Sequence, residues 1–305
     1  MAGLILNVPY GSPFLPRAIQ KRLTLTEEET RWENWRLTDP FLLNLVKEAS
    51  QPASPALSPS LRRLEENSSA RSANWPNLKL ISYPFSPLVA DPLGSLAQEL
   101  GQIAVPSPTI LTRGALQKDL PEWTASEKEF IFAHCVNPYL EQLSQAANNL
   151  LAEESLVLIL TIRFFAAKAN IMDHKANPKP QINLGFDERH TPKGLLHLAG
   201  HVFKRFGLWS ELDYPLVGAP IPEALKKHAR LKALGLAIRR DLYLDETKAS
   251  LLGSASSLVR VLRSFFSLLG QELDRVARLR FRRAFPPKPP SSVIKADKVQ
   301  KALTS

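Results

Sequence analysis

Apolar positions along the chain follow two rhythms, and their alternation predicts an α/β protein. Continuous apolar runs of strand length lie at Leu4 to Val8, Leu78 to Tyr83, Leu156 to Phe165 and across residues 231 to 240. Such runs suit strands buried on both faces of a sheet. Between them apolar residues recur at helical spacing, at Trp32, Trp35, Phe41, Leu42 and Leu45, from Ser126 to Leu151, and from Ser254 to Arg283. Thr26-Glu-Glu-Glu29 reads as a capped helix start with Thr26 or Thr24 as N-cap, and acidic residues in the first turn complement the helix dipole. Pro40 should kink or restart that helix, and Pro138 should interrupt the later one. Thr191-Pro-Lys193 predicts an N-cap hydroxyl followed by proline at the first helical position, with Gly207 closing the helix.

Residues 156 to 201 organise the reading. The run Leu156-Val-Leu-Ile-Leu-Thr-Ile-Arg-Phe-Phe165 is a buried strand whose end carries Thr161 and Arg163, where α/β folds place their ligands. Neither side chain binds zinc or serves as a general base near neutral pH.

Composition narrows the classes. A chain of 305 residues at 44% hydrophobic can bury a substantial core, and residues 1–285 are expected to form one domain. Residues 51–76, rich in Ser, Pro, Ala and Asn, read as a mobile loop or lid, and residues 286–305 as a disordered tail. The lone Cys135 excludes an internal disulfide and suits a reducing compartment, so a cytoplasmic protein is expected. The N-terminus lacks a basic segment ahead of an apolar one, and no apolar run is long enough to span a bilayer. No nucleotide-binding glycine loop and no Gly-x-Ser-x-Gly elbow is present. A net charge of +10 makes anionic partners electrostatically plausible. The basic helix at residues 254–283 reads first as a solvated face over an apolar stripe, and nucleic-acid binding is not expected because no recognition motif accompanies the charge.

Six segments occur in order: Ile5-Leu-Asn-Val-Pro-Tyr-Gly-Ser12, Leu37-Thr-Asp39, Pro84-Phe-Ser-Pro-Leu-Val-Ala-Asp91, Asn137-Pro-Tyr139, Leu184-Gly-Phe-Asp-Glu-Arg-His-Thr-Pro192 and Leu242-Tyr-Leu-Asp-Glu246. Together they resemble the N-formylglutamate amidohydrolase family, from about Leu4 to about Glu246. The resemblance implies a three-layer α/β/α fold with a central mixed, mostly parallel sheet, of the metallopeptidase (phosphorylase/hydrolase)-like kind. It also implies a zinc ion that activates water against an amide carbonyl.

This chain departs from the family pattern at the metal positions. Tyr10 stands where the family has His after Pro, and Thr161 and Arg163 stand where it has Asp-x-His. Ala237 stands at an acidic position, Leu93 and Gly94 replace an Asn or Glu and an Arg, and Leu140 replaces a His. Asp39 matches an acidic position of the implied metal site, and one carboxylate does not hold zinc alone. A guanidinium in place of an imidazole removes a lone pair and adds a permanent charge that repels a dication. The family's zinc is therefore expected to be lost, with no metal ligands assigned.

Other constellations carry less. His197 and His201 share a helical face, but no glutamate sits beside His197 and no third ligand is evident. His134 and Cys135 are adjacent and point apart on a helix. Asp187 and His190 can form an acid-base pair or simply hold the loop that starts the next helix. Two readings follow. In the first, the protein is a catalytically degenerate relative that binds or scaffolds, with Tyr10, Arg163 and Arg240 forming a basic pocket for a small carboxylate-type anion. In the second, it is an active amidohydrolase of N-formyl or N-acyl amino acids, with a rearranged site around Asp39, Asp91, Asp187 and His190.

Overall fold

A computed structural model describes residues 2–51, 75, 77–94, 108–167 and 178–284, with side chains described through residue 278. Six strands form one sheet in the order β2-β1-β3-β6-β4-β5. They are β1 (Ala2–Val8), β2 (Leu78–Ser82), β3 (Leu156–Phe165), β4 (Ile182–Gly185), β5 (Ser210–Leu212) and β6 (Leu231–Arg239). β1 pairs in parallel with β2 and β3, and β3 with β6; β4 runs antiparallel to β6, and β5 follows β4 in parallel. A small hairpin, β7 (Leu244–Asp245) with β8 (Ser250–Leu251), follows the sheet.

The central strands β1, β3 and β6 are mostly apolar because both of their faces are covered. Successive residues point to opposite faces, so Leu4, Leu6, Leu158, Leu160, Leu234 and Leu236 pack on one side with helices α3 (Pro40–Ser50), α6 (Lys193–Arg205) and α7 (Ala255–Ala284). Ile5, Val157 and Ile159 face the other side, against Tyr139, Leu143, Ala147, Leu150 and Leu151 of α5 (Asn137–Glu153). The result is the three-layer α/β/α arrangement with a mixed, mostly parallel sheet. Among the described residues no helix is long and apolar enough to cross a membrane. The predicted lid at 51–76, apart from Gln51 and Trp75, and the predicted tail at 286–305 lie outside the described residues.

Local chemistry sets the helix ends. Thr26, not Thr24, caps α2 (Glu27–Leu37) in a reciprocal box with Glu29. Thr24 instead donates to the Asp119 carbonyl. Pro40 restarts rather than kinks the helix, because Asp39 caps α3 through the Leu42 N–H at 2.8 Å. The predicted break near Pro138 is a π-helical segment, Phe132–Val136, between α4 (Ala125–Ile131) and α5. A proline has no N–H and crowds the preceding turn, which widens to accommodate it. One expectation needs correcting. Thr191 does not cap α6; Pro192 occupies the cap position, and the Thr191 hydroxyl donates to the Ala233 carbonyl at 2.7 Å, fastening the loop to β6. At its other end α6 closes as predicted: Gly207 sits at φ 73°, with its N–H and that of Leu208 returning to the Lys204 and Phe203 carbonyls.

Arg240, the residue after β6, joins the layers. Its Nε donates to Asp39 Oδ2 at 3.1 Å, and its Nη2 donates to the Trp35 carbonyl at 2.9 Å and to the Thr38 carbonyl. Those carbonyls end α2, where a helix leaves acceptors unmatched and favours positive charge. The guanidinium also lies 4.3 Å from the Phe164 ring centroid and 5.0 Å from that of Trp35. Tyr243 adds its O–H to Asp39 Oδ2 at 2.6 Å. At the opposite end of β6, Asp187 and His190 hold the entry to α6, with His190 Nδ1 2.8 Å from Asp187 Oδ1. Burial acts to raise the Asp187 carboxyl, but hydrogen bonds from the His190 ring and from the His190 and Arg189 N–H groups outweigh it and leave it below its ordinary value.

Two outcomes follow from these attachments. Arg240→Ala strands a buried carboxylate, so its unfolding free energy in urea should fall by roughly 3–5 kcal/mol; a loss under about 1 kcal/mol would contradict the assignment. For Asp187, a lowered folded-state value means that its contribution is present near neutrality and disappears as pH falls below the unfolded value of about 3.9. The stability gap between wild type and Asp187→Asn should therefore be widest near pH 7 and close on acidification, as read from urea midpoints across pH.

Candidate functional site

The side of the sheet that faces α5 changes character along the strands. One row across β1, β3 and β6 is apolar, Ile5, Ile159 and Ala233. Two residues on, the row reads Asn7, Thr161, Gly235 and, in β4, Gly185. The next reads Arg163, Ala237 and Asn183. Polar and small side chains thus gather at the carboxyl ends of the parallel strands, where open α/β sheets hold ligands.

The first polar row is closed by α5. The Tyr139 hydroxyl donates to Asn7 Oδ1 at 2.7 Å, and Asn7 Nδ2 donates to Thr161 Oγ1 at 3.3 Å. Burial raises the Tyr139 phenol, against the lowering effect of the Asn7 hydrogen bond, and the Asp91 charge adds to the rise. Tyr83 meets Tyr139 edge to face at 5.4 Å; burial raises its phenol too, with Cys135 and Asp91 contributing. Both groups stay protonated at neutral pH, and the Tyr139 hydroxyl acts as a hydrogen-bond donor.

Arg163 lies over two glycines. Its Nη2 donates to the Gly218 carbonyl at 2.9 Å. A Cβ at Gly185 or Gly235 would come within 2.1 or 2.7 Å of the Gly218 oxygen, and within 3.3 Å of the Arg163 Nη2 in both cases. Glycine is therefore required for the loop to reach the sheet. Asp213 fixes that loop by accepting from the Phe186 and Gly218 N–H groups at 3.1 and 3.0 Å, and Gly218 itself sits at φ 78°.

Tyr10 connects the two candidate carboxylates. Its hydroxyl donates to Asp91 Oδ1 at 2.8 Å, while its carbonyl accepts from the Asp39 N–H at 2.7 Å. Its ring packs edge-on to Phe164 at 6.4 Å. The structure thus brings together Tyr10, Asp39, Asp91 and Arg240 as one connected group. Thr161, Arg163 and Ala237 sit on neighbouring register positions of β3 and β6. Asp187 and His190 are held elsewhere, at the start of α6 beside Ala233.

Two other candidates have ordinary surroundings. His197 and His201 are both exposed on α6. His134 stacks on Phe130 at 4.1 Å, and burial raises the neighbouring Cys135 thiol. Among the described residues, no three His, Cys, Asp or Glu side chains are grouped to hold a metal ion. Sequence reading passed over Asn7, Asn183 and Tyr243 as site residues. The available signal for the asparagines was their isolation as polar residues inside buried apolar strands, Ala2–Val8 and Ile182–Gly185.

Comparisons with known proteins bear on the family and the fold. The model of the family described as N-formylglutamate amidohydrolase matches residues 2–244. No curated protein matches the chain. Among solved structures, the chain is similar to an N-formylglutamate amidohydrolase from Ralstonia eutropha JMP134, with 16% identity, a TM-score of 0.65, and coverage of 89% of this chain and 94% of that one. It is also similar to a gene product of Agrobacterium tumefaciens, with 15% identity, a TM-score of 0.60, and coverage of 89% and 91%. At these identities the structural likeness speaks for the fold, whereas the family match spans most of the sequence. The chain belongs to the N-formylglutamate amidohydrolase family.

Proposed function

We propose that this chain is a catalytically degenerate member of its family, without a zinc site, that binds a small carboxylate-type anion. The observation that carries the reading is the state of the side chains at the positions the resemblance assigns to the metal. The Tyr10 hydroxyl donates a hydrogen bond to Asp91. Arg163 has no lone pair to offer and brings a permanent charge into a site where it is 1% exposed. Both Asp39 oxygens accept hydrogen bonds, from Leu42, Arg240 and Tyr243. Ala237 contributes only a methyl group. A dication needs several lone pairs and tolerates no adjacent guanidinium, so these residues do not fit zinc.

The same features suit an anion. Arg163 stands over the glycine floor, with its Nη2 on the Gly218 carbonyl, and Arg240 lies at the end of β6 with its guanidinium on Asp39 and on backbone carbonyls. The proposed ligand-binding set is Tyr10, Arg163 and Arg240, of which Arg163 is the one over the glycine floor. The site residues of the competing amidohydrolase reading fall into separate groups, Asp39 and Asp91 around Tyr10, and Asp187 with His190 at the start of α6. A soluble binding protein acting on carboxylates in the cytoplasm is the corresponding cellular role.

Purified protein should contain zinc far below one equivalent by elemental analysis and release no formate from N-formylglutamate. Turnover abolished by chelation would establish the amidohydrolase instead. In a thermal-shift panel of glutamate-like anions, at least one should raise the melting temperature. At about 100 times its Kd, such a ligand stabilises by about 2.7 kcal/mol, and Arg163→Ala should abolish the shift.

A further inference from the structure

We infer that Asn183 is a recognition residue of the same site, and that it selects a ligand bearing a carboxamide as well as a carboxylate. This rests on the carboxylate-binding reading above and adds a second pharmacophore to it. Asn183 is fully buried, and neither its Oδ1 nor its Nδ2 has a hydrogen-bond partner among the described residues. Buried polar atoms are nearly always paired, so an amide with both ends open is an unmet donor beside an unmet acceptor. A ligand carboxamide is the complementary group: its oxygen accepts from Nδ2 while its N–H donates to Oδ1. A carboxylate meets only half of that demand, because it brings no donor.

Register places this amide within reach of Arg163. Asn183 and Arg163 both flank Ala237 on the same face of the sheet. The Arg163 Nη2 also lies 3.3 Å from where a Cβ would stand on Gly185, two residues along β4 from Asn183. Residues two apart on a strand are separated by roughly 7 Å. A two-carbon spacer between carboxylate and carboxamide matches that gap. Phe165 and Leu216, which cluster with the Ala237 methyl, supply an apolar wall for the spacer.

Succinate and its monoamide succinamate differ only in the group that Asn183 would read. Dose-dependent thermal shifts of the intact protein should give succinamate an apparent affinity at least about ten-fold better than succinate, although Arg163 alone would favour the dianion. Asn183→Leu, which removes both polar atoms at similar volume, should abolish that preference while retaining the succinate shift. Asn183→Asp should invert or remove it, and covers the case in which the leucine variant fails to fold. Succinate binding with equal affinity for succinamate, or a preference unchanged in Asn183→Leu, would overturn the role of Asn183 and leave the carboxylate site standing. A structural amide that holds only water would alter stability in Asn183→Leu without altering preference, and counts against the proposal. No shift with either compound would overturn the role of Asn183, and the carboxylate reading falls with it only if the whole panel of glutamate-like anions also gives no shift.

Discussion

The structure depends on a buried ion pair that joins what the chain order separates. Asp39 lies between the first two long helices and Arg240 follows the last sheet strand, yet Nε and Oδ2 meet at 3.1 Å with both side chains almost fully buried. A pair of this kind loses much of its Coulomb gain to desolvation unless its remaining donors and acceptors are met. Here they are met by Leu42, Tyr243, Trp35 and Thr38. The pair consequently specifies geometry. It sets the end of α2, the start of α3 and the exit of β6 relative to one another, and through the Asp39 N–H it sets the position of Tyr10.

That constraint has a consequence for the site. Because Tyr10 is held from its carbonyl by Asp39 and from its hydroxyl by Asp91, it cannot turn its oxygen elsewhere without opening a buried hydrogen bond. Tyr243, on the other side of Asp39, has its phenol raised well above the ordinary value by burial and by the Asp39 charge, partly countered by Arg240. The Tyr10 and Tyr243 hydroxyls are thus committed as donors to Asp91 and Asp39, and Arg240 shares Asp39 with Tyr243.

Much of this was legible in the sequence, for identifiable reasons. Strands buried on both faces read as continuous apolar runs, so β1, β2, β3 and β6 stood out, and the Thr26 box and Pro40 restart follow from backbone hydrogen bonding alone. β4 and β5 escaped because four and three residues are too few to show a period. Thr191 misled for a different reason: its hydroxyl has a tertiary acceptor in Ala233, and local capping rules do not see an acceptor 42 residues away. Likewise the connection of Tyr10 with Asp91 and of Asp39 with Arg240 is a property of packing, not of spacing. Asn183 was hidden in a strand too short to be recognised.

The substitutions at the site also make sense as a set rather than as independent losses. A guanidinium at position 163 needs a small neighbour in its own row, which Ala237 provides, and a floor without side chains, which Gly185 and Gly235 provide. An acidic residue at position 237 would have neutralised Arg163 in place, because opposite charges on adjacent strands at one register position lie within contact distance. With alanine there, position 237 supplies no counter-charge to Arg163, and the Gly218 carbonyl fixes the direction of its Nη2. Restoring histidine at 163 alone would therefore not rebuild a metal centre, since Tyr10 would still present a proton and Ala237 still no lone pair. On the proposed reading, the loss of the metal and the gain of an anion site are the same physical change.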